Sequence, residues 1–351
     1  MRRREFVKGA LAAASATALG GVLPASAQAK PEKIVVMTWG GNNADGVEKG
    51  IDKPYFDRYG VKVVLDTGSS PVERITKLKL SLNDQPYDVL NLGDAQFPLA
   101  IKQGVLETLA LSSPNLANLK DVYPRMVRPH WVTCYFSAVG ITYNRAIKNP
   151  PTSWADLWRP EFKGRIVIPD VTHTIGLYPV VIGAMAEGKS PKDADAGFAM
   201  LKRLADLQPI IAKDTDTIMN NLQSGDAQIG LLYKSQTYTI QDKGAEVEWV
   251  FPKEGGIEIS WGYGIAKNSK NREWAERWIN LAMDPDVQPY FTEWGNYPGS
   301  NPKMLAKLSP KLKQRAFFTD DQLKRMVVLD QEYMSDRRAE WTDRWNRIMV
   351  R

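Results

Sequence analysis

Beyond residue 30 the chain alternates short apolar runs with amphipathic ones. "KIVVMTW" (33–39) is β-branched and predicts a strand ending at Trp39. A "GGNNADG" turn leads into a broken helical pattern, "VEKGIDKPYFDRYG" (47–60), stopped by Gly60. "VKVVLDTG" (61–68) predicts a second strand. In "VERITKLKLSLN" (72–83) the apolar positions Val72, Ile75, Leu78 and Leu82 make a helical stripe. "YDVLNLGD" (87–94) predicts a third strand. This alternation predicts an α/β fold built on a parallel sheet with helices on both faces.

Two stretches break the rhythm. "WVTCYFSAVGITY" (131–143) and "ISWGYGIAK" (259–267) are long extended patterns without helical period, and both read as crossings between two lobes. Between them, "TSWADLW" predicts a helix capped by Ser153. "GRIVIPD", "AQIGLLY" and "EVEWVFP" predict a second strand series with helices between. Helical patterns follow at 271–284 and 286–294, then at 333–350 with Trp341, Trp345 and Ile348 on one stripe. The expected organisation is a first lobe from 30–138 and 263–351, the latter including the C-terminal helices, with a second lobe from 139–262. Two lobes joined by crossings enclose a cleft, and open α/β sheets bind ligands at the C-terminal ends of their strands.

That rule nominates Trp39, Ser69, Ser70 and Asp94 from the first lobe. It nominates Asp170, His173, Tyr233 and Lys234 from the second, and Phe136, Ser137, Trp261 and Tyr263 from the crossings. Each has a plainer alternative: Ser69 and Ser70 as helix caps, Asp94 as a cap, Asp170 as a turn residue, Lys234 as a solvated helix start, the rings as core.

Composition narrows the chemistry. The 351 residues carry one Cys and two His, so an internal disulfide is impossible and a Cys/His metal site is not expected. No cofactor is expected. The formal charge is +6, of which residues 1–29 supply +3, leaving +3. That is too mild to argue for nucleic acid. The start, "MRRREFVKGALAAASATALGGVLPASAQAK", has a basic head, a weakly apolar middle and small residues before a break. It predicts a secretory signal of the twin-arginine type, removed near Ala29 to leave a periplasmic protein.

Several segments together resemble one family. "GITYN", "TSWADLWRPEFKGRIVIPD", "EGGIEISWGYGIAKNSKNREWAERWINLAMDPDVQ" and "YPGSNP" occur in the order seen in spermidine/putrescine-type extracellular solute-binding proteins of ABC importers. The resemblance spans roughly residues 33–350. It implies a two-lobed periplasmic-binding-protein fold, type II-like, with a ligand cleft between lobes. It also implies a monomer that hands a small solute to a membrane permease. One departure is chemical. The strand matching 257–266 carries an Asp in the polyamine binders, and Trp261 stands there in this chain. Gly93 and Asp94 replace the usual hydroxyl residues, and His173 replaces an Arg. Enclosing a polyamine without a carboxylate for each ammonium is costly, which favours a carboxylated or zwitterionic solute held by Ser69, Ser70, His173 and Lys234. The alternatives are a polyamine held by Asp94 and Asp170, and, from a different class, an exported enzyme. No G-x-S-x-G element and no glycine-rich dinucleotide fingerprint supports the last.

Overall fold

A computed structural model describes residues 28–68 and 70–349; the export-signal reading of the first 27 residues and the candidate Ser69 lie outside these. The described residues form nine strands: β1 Lys33–Met37, β2 Lys62–Asp66, β3 Val89–Gly93, β4 Val132–Asn144, β5 Ile166–Pro169, β6 Ile210–Ala212, β7 Ile229–Tyr233, β8 Val247–Val250 and β9 Ile257–Ile265. They join in one sheet of order β2-β1-β3-β9-β4-β7-β5-β6, with β8 pairing β4.

The sheet contains two parallel series. β1 pairs β2 and β3 in parallel, and β5 pairs β6 and β7 in parallel. Between them run the two long strands, β4 and β9, antiparallel to each other and to their outer neighbours. Each series carries its own core. The first gathers Ile34, Val61, Tyr263, Trp278 and Phe291; the second gathers Ile166, Ile182, Leu201, Trp341 and Trp345. β4 and β9 feed residues into both, as strands crossing between lobes must. A third connection runs beside them: the Val327 N–H donates to the Gly256 carbonyl and the Val327 carbonyl accepts from the Glu258 N–H, both at 2.8 Å.

Local chemistry explains the main elements. The broken helical pattern forms as Asn42–Val47, one wide turn at Glu48–Asp52, then Lys53–Tyr59, closed by Gly60 at φ 62°. The helix Tyr178–Ala186 is apolar on all sides and is buried under the second lobe. It crosses Ala194–Asp206 at Gly197, where a Cβ would lie 2.3 Å from the Val180 carbonyl oxygen. The last helix, Gln331–Met349, was grouped above with the first lobe by sequence position. Its buried face joins the second core instead, with Trp341 edge-on to Phe198 at 5.9 Å.

Candidate functional site

A cleft of ≈ 710 Å³ opens between the two series, within the range of small-molecule sites. Its inner wall is made of rings. Trp261 on β9 lies over Tyr135 on β4, centroids 5.3 Å apart and planes 18° from parallel. Tyr233 and Tyr297 meet Trp261 edge-on at 6.2 and 5.2 Å. Trp39 stands at the end of β1 with the Arg74 guanidinium 4.3 Å from its ring. Polar groups hold the rings in place. Thr38 Oγ1 donates to Asn43 Oδ1 (2.9 Å), Asn43 Nδ2 to the Tyr135 hydroxyl (3.1 Å), and Gln236 Nε2 to the Tyr297 hydroxyl (3.0 Å). Rings held in this way present fixed π faces to a ligand.

The five expected residues that line this cleft are Trp39, Asp94, His173, Tyr233 and Trp261. Gly93 pairs with Trp261 across β3 and β9; a Cβ there would meet Gln96 Oε1 at 2.8 Å and only touch the indole. Asp94 follows β3. Its Oδ1 accepts from the Ala95 N–H (2.8 Å) and its Oδ2 from Gln331 Nε2 (3.3 Å). Burial, and then the charge of Glu258, push its carboxyl up to about 7. His173 is a wall rather than a base. The Ile175 N–H donates to its Nδ1 and its Nε2 donates to Thr215 Oγ1, both at 3.1 Å, while burial lowers its pKa and keeps it neutral.

Other expected residues point elsewhere. Phe136 packs into the first core, its ring 5.8 Å from Phe318. The reason is a bulge between Thr133 and Tyr135, which sets Tyr135 opposite Trp261 and Phe136 opposite Ser260. Tyr263 shares the Trp261 face but lies deeper, covered edge-on by Trp278 at 4.8 Å. Ser137 is fully buried and bonds the Ser235 hydroxyl at 3.2 Å. Lys234 turns away from the cleft, donates to the Phe317 carbonyl and lies 4.2 Å from the Phe318 ring; burial pulls it down to about 7. Asp170 is a turn residue that accepts from the Thr172 N–H (2.9 Å) and hydroxyl (2.6 Å). Ser70 caps the helix Pro71–Leu80 in a reciprocal pair with Glu73. The carboxylate of Glu73 already fills the anion position at that helix end.

The cleft also contains residues absent from the sequence-based set: Tyr135, Asn43, Trp294, Tyr297 and Arg338. Tyr135 was legible as the cross-strand partner of Trp261 only once the bulge is known. Arg338 comes from the C-terminal helix, and nothing local marks it. Among the described residues, no group of three or more His, Cys, Asp or Glu is placed to hold a metal ion.

Two α/β halves, joined by long strands on either side of a ring-lined cleft, make a two-lobed fold. Residues 51–319 match the model of the bacterial extracellular solute-binding protein family, and the chain belongs to that family. It is 27% identical over 323 residues to the spermidine/putrescine-binding periplasmic protein of Salmonella typhimurium, covering 89% of this chain and 90% of the relative. It is 24% identical over 339 residues to the gamma-aminobutyric acid-binding protein of Pseudomonas aeruginosa, covering 92% of both. The crystal structure of an ABC transporter protein from Clostridium perfringens superposes with a TM-score of 0.79 at 26% identity, covering 90% of this chain and 99% of that one. The protein is thus a solute-binding component of ABC transport rather than an enzyme. No helix among the described residues is long and apolar enough to cross a membrane.

Proposed function

We propose that this chain is the periplasmic receptor of an ABC importer for a small carboxylated or zwitterionic solute. The observation that carries the ligand class is the charge layout of the cleft. Arg338 lines it with no hydrogen bond or ion pair to any described residue. The central strand meanwhile offers an indole, Trp261, in place of a carboxylate. A guanidinium that forms no hydrogen bond or ion pair with the described residues is available to a carboxylate through paired N–H donors. The ring wall at Trp39, Tyr135, Tyr233 and Trp261 suits the apolar or cationic remainder. The likeness to a gamma-aminobutyric acid-binding protein supports the same class.

A second reading rests on two carboxylates, Asp94 and Asp216, which line the cleft from the two lobes. Together they fit a diamine, as the names of the spermidine/putrescine relatives suggest.

The receptor works as a monomer. Its lobes, 30–138 with 263–330, and 139–262 with the helix Gln331–Met349, close on the solute about β4 and β9, which shifts a population toward the closed form. The closed form docks on the permease, and the mature chain begins near Ala29.

The test is a thermal-shift and calorimetric screen of gamma-aminobutyric acid, opine-type conjugates and aromatic acids against putrescine and spermidine. Carboxylated solutes raise the melting point, and Arg338→Gln weakens them by about tenfold or more. Tight putrescine binding that Arg338→Gln leaves unchanged, with no carboxylate response, would replace this reading with the diamine one.

A further inference from the structure

A second cavity, of ≈ 180 Å³, lies on the reverse face of β9. Strand alternation creates it. Ile259 and Trp261 face the ligand cleft, so Glu258 and Ser260 face the other way. Thr133 of β4 joins them, the segment after Met326 closes the outer side, and Asp94 borders both spaces.

The lining is that of a receptacle rather than a packing defect, which would be apolar. Ser260 is 2% exposed and Thr133 1% exposed, and neither hydroxyl has a hydrogen-bond partner among the described residues. Both hydroxyl oxygens reach the cavity, so its contents satisfy them. Glu258 is 4% exposed, and its Oε2 accepts from Arg125 Nε and NH2 at 3.1 and 2.9 Å. Opposite these polar groups is a flat apolar wall, Phe97 stacked on Trp131 at 4.0 Å and 7°. At the mouth, Arg128 and Glu332 balance each other in charge.

We propose that this cavity is a second binding site, for a short primary alkylammonium compound. The ammonium donates to the Ser260 and Thr133 hydroxyls and the Glu258 carboxylate, and the alkyl end packs on the Phe97–Trp131 pair. A primary ammonium has three N–H donors, which matches three acceptors. The buried Glu258 and neighbouring Asp94 exclude an anion. A bare metal ion leaves the ring wall unused. The space equals about six waters at ~30 Å³ each, which fits a short chain and not a long polyamine.

The test is calorimetric titration of the purified chain with propylammonium chloride, and with propan-1-ol as the uncharged control. Wild type binds the ammonium saturably and not the alcohol. A Ser260→Val/Thr133→Val variant weakens it by at least about tenfold, and Trp39→Ala, in the cleft, leaves it within about twofold. Ser260→Ala alone serves if circular dichroism shows the double variant misfolded. Binding kept in the Val variants but lost in Trp39→Ala assigns the probe to the cleft and overturns the proposal. So does equal binding of propan-1-ol, or no saturable heat up to about 100 mM, which leaves the cavity to water.

Discussion

Asp52 shows how one buried group leaves a signature in the whole protein. It sits in the wide turn Glu48–Asp52 and is 7% exposed. Trp278 Nε1 donates to its Oδ1 at 2.8 Å, and its Oδ2 has no hydrogen-bond partner among the described residues. Burial raises its carboxyl from 3.8 to about 7, against the Trp278 bond that lowers it and with the Glu48 charge that adds to the rise. A group with a folded pKa above its unfolded one stabilises fully at low pH and loses that contribution as pH climbs. Asp52 therefore costs stability progressively between about pH 4 and 7, by a few kcal/mol. Asp52→Asn keeps an acceptor for Trp278 and removes the charge. The expected outcome is a higher melting point at pH 7.5 and a flatter profile between pH 4 and 7; a wild-type slope retained in the variant would show that another group sets it. In the cleft, Trp261→Asp puts a charge against the Tyr135 ring face. It weakens a carboxylated ligand by about tenfold or more in calorimetry, and unchanged affinity would remove Trp261 from the site.

At the scale of elements, what the pattern made legible and what it did not separate cleanly. The alternation of apolar runs located β1, β2, β3, β5, β7 and β8: β3, β5 and β7 are buried along their whole length and read as continuous apolar runs, and the edge strand β2 and the antiparallel β8 still carry β-branched residues. The two long crossings were legible because thirteen and nine extended residues exceed what one lobe's sheet requires. The three-residue strand β6 and the bulge in β4 were not, since neither changes the hydrophobic period enough to read. That bulge decides a functional residue, Tyr135 in place of Phe136. Nor could period alone tell cleft from core: Trp261 and Tyr263 share a face, and only the position of Trp278 separates them. The C-terminal helix is the clearest case. Its stripe at Trp341 and Trp345 was readable, but the core it joins was not, because that choice depends on Phe198 in a helix more than a hundred residues earlier. Trp341→Ala should cost about 3–5 kcal/mol by emptying that core position, read as a fall in the denaturant midpoint. Trp341→Phe should cost clearly less, since the buried indole N–H of Trp341 makes no hydrogen bond among the described residues that the phenyl ring would lose.

At the scale of the molecule, the same helix ties the lobes. Its body belongs to the second core, yet its first residue, Gln331, donates to Asp94 of the first. Both Ser335 and Arg338, one and two turns on, line the cleft. In the proposed closure about β4 and β9, this helix moves with the second lobe and changes its approach to the Asp94 loop. A single 3.3 Å side-chain bond at a partly buried site is worth only about 1 kcal/mol, too little to hold the protein together and enough to bias two lobe arrangements several-fold. Gln331→Ala removes the donor to Asp94 and also a hydrogen bond to Tyr178 of the second core. The expected outcome is a stability loss, read from the denaturant midpoint, of no more than about 1 kcal/mol and a shift of roughly twofold to fivefold in affinity for a solute that raises the wild-type melting point. Small-angle scattering with and without that solute reads the lobe arrangement directly. A larger fall in stability would make Gln331 a stability residue, whereas an affinity shift with stability held within that limit places the Gln331–Asp94 bond in the equilibrium between open and closed lobes.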